Sequence, residues 1–181
     1  MGYLYRGIVF AAMLAIMLSA PAHSIGLGSI GLRVGMDLAQ NQVNYTSGSQ
    51  FDSARLFLGG HVDVGSIFIT KLHLVPGLDL VMEDNLKVYS INTETRYYFT
   101  NGEKAAGYAG GGIGVHLFRY DVAPTDVAID RTKFSLNIPV GFQRRVGQGL
   151  QWFGEVKLVI ADDEVDSSFR FSLGLLVDLG L

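Results

Sequence analysis

The sequence predicts an all-β fold, eight antiparallel strands closed into an up-and-down barrel, and three observations carry it. Eight segments alternate apolar and polar residues with a period of two, as strands do when their two faces meet different surroundings. Glycine is abundant (23 of 181 residues) and proline scarce (4), which disfavours long helices and suits strands that bend, twist and pack closely. The last segment is the clearest: Phe169, Phe171, Leu173, Leu175, Val177, Leu179 and Leu181 share one face, and Arg170, Ser172, Gly174, Asp178 and Gly180 share the other, with Leu176 out of pattern. Left unpaired, such a strand is an adhesive edge, and closure onto the first strand removes it. Its apolar face is expected to meet lipid.

Residues 1–24 read as a secretory signal peptide, and residues 25–181 as one barrel domain. Arg6 is followed by the apolar run GIVFAAMLAIML and then by the small, polar SAPAHS, with cleavage expected after Ala22 or Ser24. Past it, no apolar run is long enough to span a bilayer as a helix.

The first strand places Ile30, Leu32, Val34, Met36 and Leu38 against Gly31, Arg33, Gly35 and Asp37, and the polar loop 40–50 follows. The second sets Ala54, Leu56, Leu58, Val62 and Val64 against Ser53, Arg55, His61 and Asp63, ending at a short turn around Gly65-Ser66. The third opposes Leu72, Leu74, Leu78, Leu80 and Met82 to Lys71, His73, Gly77 and Asp79; Pro76 lacks an N–H for the ladder and marks a bulge or weak point.

After the turn Glu83-Asp84-Asn85, the fourth strand sets Tyr89, Ile91, Thr93, Thr95, Tyr97 and Phe99 against Ser90, Asn92, Glu94, Arg96 and Tyr98. The fifth, Tyr108 to Tyr120, contains GYAGGGIGV. That run lacks the phosphate-loop pattern and lies in a strand, so its inward glycines are read as room for bulky side chains from across a narrow lumen. The sixth opposes Phe134, Leu136, Ile138, Val140 and Phe142 to Lys133, Ser135, Asn137, Gly141 and Gln143, with a turn expected at residues 145–149. The seventh sets Trp152, Gly154, Val156, Leu158 and Ile160 against Gln151, Glu155 and Lys157, and the acidic loop 161–168 leads into the last strand.

With both termini on one side, the connections divide by parity into longer polar loops near 40–50, 121–131 and 161–168, with the tight 83–85, and short turns near 65, 101–106 and 145–149. Short turns on one side and long loops on the other are the habit of outer-membrane barrels. Tyr97, Phe99, Phe142 and Trp152 cluster near the short turns, as an interfacial girdle does.

Over essentially the whole chain after residue 24, the sequence resembles the small eight-stranded outer-membrane barrels, the OmpA- and OmpX-like β-barrel domain proteins. The signal segment, the GYAGGGIGV strand and the closing FRFSLGLLVDLGL carry the resemblance. It implies the outer membrane of a Gram-negative-type cell, contact with outer-membrane lipid and lipopolysaccharide, and insertion by the barrel assembly machinery, which reads the last strand. That strand ends in an aromatic residue in the family, whereas Leu181 is aliphatic.

The polar face carries Arg33, Arg55, Asp63, Lys71, Asp79, Glu94, Arg96, Glu155, Lys157 and Arg170, both signs mixed along most strands. These are expected to fill the lumen and neutralise one another, a structural network that leaves no open pore. No catalysis, cofactor or metal site is expected. Cysteine is absent; His61, His73 and His116 sit at different heights; and there is no His-x-Ser-Asn cluster and no Ser beside any of these three. With 14 basic and 17 acidic residues, nothing suggests a nucleic-acid partner. The role expected is structural or adhesive, in a monomeric barrel, with surface partners meeting the loops, such as Asn44-Tyr45-Thr46-Ser47 and Asp121 to Arg131. The acidic Asp162, Asp163, Glu164 and Asp166 read as a solvated loop. The alternatives are a narrow channel for small or apolar solutes and a secreted lipocalin-type barrel with its apolar face turned inward around a ligand.

Overall fold

The computed structural model describes residues 26–39, 54–83, 86–99, 105–120, 132–161 and 167–180. Eight strands lie among them: β1 (Ser29–Ala39), β2 (Ala54–Asp63), β3 (Leu72–Glu83), β4 (Leu86–Tyr98), β5 (Ala105–Tyr120), β6 (Thr132–Gly147), β7 (Leu150–Ala161) and β8 (Ser168–Asp178). They form a closed barrel in which each strand pairs antiparallel with its sequence neighbours and β8 closes onto β1. The predicted all-β up-and-down barrel is the observed fold. The expected signal segment and the loop residues singled out above lie outside the described residues.

Alternation decides the faces. Leu32, Leu58, Leu78, Ile91 and Leu173 point outward and are more than half exposed, while their strand neighbours Arg33, Phe57, Asp79, Asn92 and Ser172 are buried inside. On β5 the outward positions between Arg119 and Ala105 are Leu117, Val115, Ile113, Gly111, Ala109 and Gly107, apolar throughout. Ten residue steps at about 3.3 Å, tilted by roughly 40°, give an apolar band of about 25 Å, the height of a lipid-facing barrel belt. Lys87, cross-strand partner of Arg119, bounds it at the loop end, and Arg144, opposite Ala105, at the turn end. The girdle stands at its lower edge, with ring centroids 6.0 Å apart for Tyr97 and Phe99 and 5.8 Å for Phe142 and Trp152. An apolar band outside and charges inside exclude the inverted, lipocalin-type arrangement.

Three details differ from the sequence reading. The β2–β3 ladder runs from Leu56↔Met82 to His61↔Gly77, breaks at Pro76, which supplies no N–H, and is still in register where Val64 N–H bonds Leu74 C=O (3.0 Å). The one-residue shift falls at Gly65 (φ 89°), whose C=O takes the Leu74 N–H (3.1 Å), so the hairpin bulges there, reaches Ser66↔His73, and has a tip longer than a Gly65-Ser66 turn. The tip closes by Ile67 N–H to Leu72 C=O (2.7 Å) and Leu72 N–H to Ile69 C=O (3.0 Å). β6 continues through most of the expected turn to Gly147, leaving Gln148-Gly149 as a two-residue turn with Gly149 at φ 69°. β8 ends at Asp178, so Leu179 has left the ladder, bonding through its N–H to Gly28 C=O (3.0 Å), and Leu181 lies outside the described residues. Leu176 stands where the sequence put it, an apolar residue on the inward, polar face, buried at the turn end.

Candidate functional site in the barrel interior

Among the described residues, eight charged side chains in the lumen are no more than 4% exposed: Arg33, Arg96, Lys157 and Arg170 against Asp37, Asp79, Glu94 and Glu155. Four cations meet four anions, so the set is neutral. Arg33 on β1 crosses to β3 and binds Asp79 with both oxygens engaged, Nε–Oδ1 at 2.8 Å and Nη2–Oδ2 at 2.9 Å, and its Nη1 reaches Glu155 on β7 at 3.1 Å. Glu155 is the hub, taking Arg96 at 2.7 Å, Lys157 at 3.5 Å and the Tyr108 hydroxyl at 2.8 Å. Glu94 pairs with Arg96 (3.1 Å) and with Lys157, and Arg170 bridges Asp79 (3.3 Å) and Asp37 (3.4 Å). Bidentate arginine pairing and shared carboxylates meet the conditions under which buried charge is tolerated.

Of the ten charges proposed from the sequence, the structure therefore places Arg33, Asp79, Glu94, Arg96, Glu155, Lys157 and Arg170 in one connected network. Arg55 stands opposite Asp37 in the β1–β2 ladder and lines the loop-end mouth with Asp37 and Arg170. Asp63 and Lys71 do not join the network. Asp63 sits at the turn end, where it bonds the Gly65 N–H (2.8 Å) and the His73 ring (2.9 Å), and Lys71 belongs to the β2–β3 tip. Their distance from the others is a matter of height along the strand, which periodicity does not report. Asp37 is an interior member outside that set, directly opposite Arg170 in the β1–β8 ladder.

A second interior array carries no charge of its own and is fixed by one carboxylate. Asp79 only accepts, so the Asn92 side-chain nitrogen must face it (3.0 Å), leaving Asn92 Oδ1 to accept from Asn137 Nδ2 (2.8 Å). Asn137 Oδ1 then accepts from the Ser135 hydroxyl (3.0 Å), and Ser135 accepts from His116 Nε2–H (2.7 Å). His116 Nδ1 accepts from Ser90 (2.7 Å), and Ser90 accepts from Arg170 (3.4 Å), which also donates to Asp79 and closes the circuit. So serines do stand beside a histidine, contrary to the sequence reading. Ser90 and His116 are cross-strand partners 26 residues apart, a proximity only the register creates. As hydrolytic machinery the array is poorly placed, because Ser135 already donates to Asn137 and the adjoining cavity, at the loop mouth, is about 20 Å³, room for a single water. Breaking the circuit with Ser135→Ala is expected to cost about 1–3 kcal/mol by leaving buried partners unmatched, read by urea unfolding in lipid bilayers.

His61 and His73 also pack against rings. His73 lies edge-on to Tyr98 (4.9 Å), and His61 to Phe153 (5.1 Å). With the buried Val75, Phe153 and Leu176, they show that the lumen is plugged at the turn end by apolar and aromatic groups as well as by charge. Inward glycines make the room, though for neighbours rather than for groups across the lumen. The Phe153 ring lies over Gly174, its cross-strand partner, where a Cβ would come within 2.4 Å of it.

Solved structures with this architecture can now be compared. The barrel of Neisserial surface protein A superposes with a TM-score of 0.62 at 13% identity, over 83% of this chain and 96% of that one. The N-terminal β-barrel domain of Pseudomonas aeruginosa OprF gives 0.56 at 13%, over 85% and 99%. The chain has the fold of the small outer-membrane β-barrels. The outer membrane enzyme PagL shares the architecture too, at TM-score 0.54 and 16% identity over 82% and 98%, so this barrel type carries more than one kind of activity. No protein-family model and no curated protein matches the sequence.

Proposed function

We propose that the protein is a non-conducting barrel of the outer membrane of a Gram-negative-type cell, with a structural and surface-directed role. β8 serves as the strand read by the assembly machinery, and the connections β1–β2, β5–β6 and β7–β8 meet surface partners and lipopolysaccharide. The observation that carries this reading is the neutral four-by-four charge network that occupies the lumen. A solute would have to displace Arg33, Glu155 and Arg96 from one another, at several kcal/mol for each ion left unpaired. A rigid, sealed wall is a scaffold on which loops supply specificity.

Planar-bilayer recording tests it: folded, purified protein is expected to give no unitary conductance. Stable single-channel steps from the parent protein would overturn the reading in favour of a narrow channel.

A further inference from the structure

Following the register around the outer face from β8 to β5, the cross-strand neighbours are Leu175, Leu32, Gly60, Leu78, Ile91 and Val115. Every position but Gly60 fills its share of the belt. An apolar groove of about 570 Å³ lies over the β1–β3 wall, with Gly60 in its floor and Ile30, Leu32, Val62, Pro76 and Leu78 along its sides. Its length along β2, from Leu58 to Val62, is about 13 Å at ~3.3 Å per residue. Tilted by roughly 40°, that covers about 10 Å of the ~15 Å that one leaflet contributes to a ~30 Å hydrocarbon core. Leu58 to Val62 is the turn-end part of β2, so the groove opens into the leaflet on the side of the short turns.

Below the groove, the same hairpin continues into an apolar tip. Phe68 is 70% exposed, and Ile69 is also exposed. The Tyr98 N–H bonds to Lys71 C=O (2.9 Å), which sets the tip level with Phe99 and the aromatic girdle. An apolar track thus runs from mid-belt down to the interface. It follows the β2–β3 seam, where the ladder keeps six pairs before Pro76 interrupts it.

We propose that this groove seats one acyl chain of a phospholipid from the turn-side leaflet, held long enough to survive extraction. The proposal rests on the membrane placement argued above. A second copy of the chain is a poorer occupant: a two-fold contact sets groove against groove and leaves the void unfilled. An acyl chain lies within that depth and matches the apolar side chains Ile30, Leu32, Val62 and Leu78 along the groove, and it covers the seam with the fewest ladder pairs.

The test is native mass spectrometry of protein extracted from outer membranes and exchanged into mild detergent. Gly60→Leu blocks the groove at its floor; a Cβ there meets only Gly31 O at 3.4 Å and Leu32 Cδ2 at 3.6 Å, ordinary contacts. Leu78→Trp covers the groove from its side and serves if Gly60→Leu does not assemble. Gly111→Leu, at an outward position with nothing within 4 Å, is the control. The parent and Gly111→Leu are expected to retain one phospholipid per barrel, and Gly60→Leu and Leu78→Trp to lose it, all four keeping the faster unboiled gel mobility of a folded barrel. Equal retention in the groove variants, no adduct on the parent, a lipopolysaccharide adduct, or a dimer in place of the lipid would each overturn it. Absence of any boiling shift in the parent would instead bring down the membrane placement, and the groove assignment with it.

Discussion

Glu155→Ala is expected to destabilise the barrel by about 3–5 kcal/mol, the cost of leaving buried cations without their counter-charge. Glu155 holds Arg33, Arg96 and Lys157 together and accepts the Tyr108 hydroxyl. With it gone, Arg33 keeps Asp79 and Arg96 keeps Glu94, but the network carries four cations against three anions in a poorly screening interior. Glu155→Gln keeps the shape and one acceptor oxygen yet makes the same charge imbalance, so it is expected to fall between parent and alanine. The contrast is the pair Arg145–Asp178 at 3.9 Å, whose side chains are 51% and 38% exposed. Asp178→Asn is expected to change stability by no more than about 0.5 kcal/mol, because solvent screens that pair. Urea unfolding in lipid vesicles, with the temperature of the gel-mobility shift as a second readout, orders the three variants. A Glu155→Ala barrel as stable as Asp178→Asn would mean that the lumen network contributes nothing to stability.

The division between these two kinds of charge was only half legible in the sequence. A period of two reports which face a residue is on, so Glu155 and Arg96 were assignable to the interior from β7 and β4 alone. It does not report where along the barrel axis a residue stands. Asp63 and Lys71 share a face with Asp79 in the pattern but stand at the turn end, beyond the reach of the network. Pairing was less legible still. Ser90, His116 and Ser135 come together because β4 and β5 are set in the register Ser90↔His116 and β5 and β6 in the register Gly114↔Ser135. Nothing local to any of the three residues announces it. The β2–β3 hairpin shows the opposite case, in which a local signal was seen and its consequence understated. Pro76 read as a weak point and does break the ladder, and the register shift that follows at Gly65 lengthens the tip and leaves Phe68 and Ile69 at girdle height.

Gly141→Ala is expected to cost more than a single methyl suggests, because the space at Gly141 is occupied by Tyr108. The two are cross-strand partners, and a Cβ on Gly141 would lie 2.3 Å from Tyr108 Cζ and 2.4 Å from its hydroxyl oxygen. The ring must therefore lift. In lifting it gives up the 2.8 Å bond to Glu155 and its place under Arg96, whose guanidinium carbon sits 4.8 Å from the ring centroid. Overpacking of this kind costs about 1–3 kcal/mol, and the lost hydrogen bond to a charged group adds about 1.5–3 kcal/mol. Tyr108→Ala alone is expected to cost about 3–5 kcal/mol through the cavity it leaves. In that background the methyl at 141 has nothing to displace, so Gly141→Ala should then change stability by less than about 0.5 kcal/mol. A double-mutant cycle read by urea unfolding would thus return a coupling energy nearly equal to the whole single-site cost. Additive effects would place the penalty in the β5–β6 backbone, and the glycine would then be serving strand curvature rather than the tyrosine that completes the Glu155 hub.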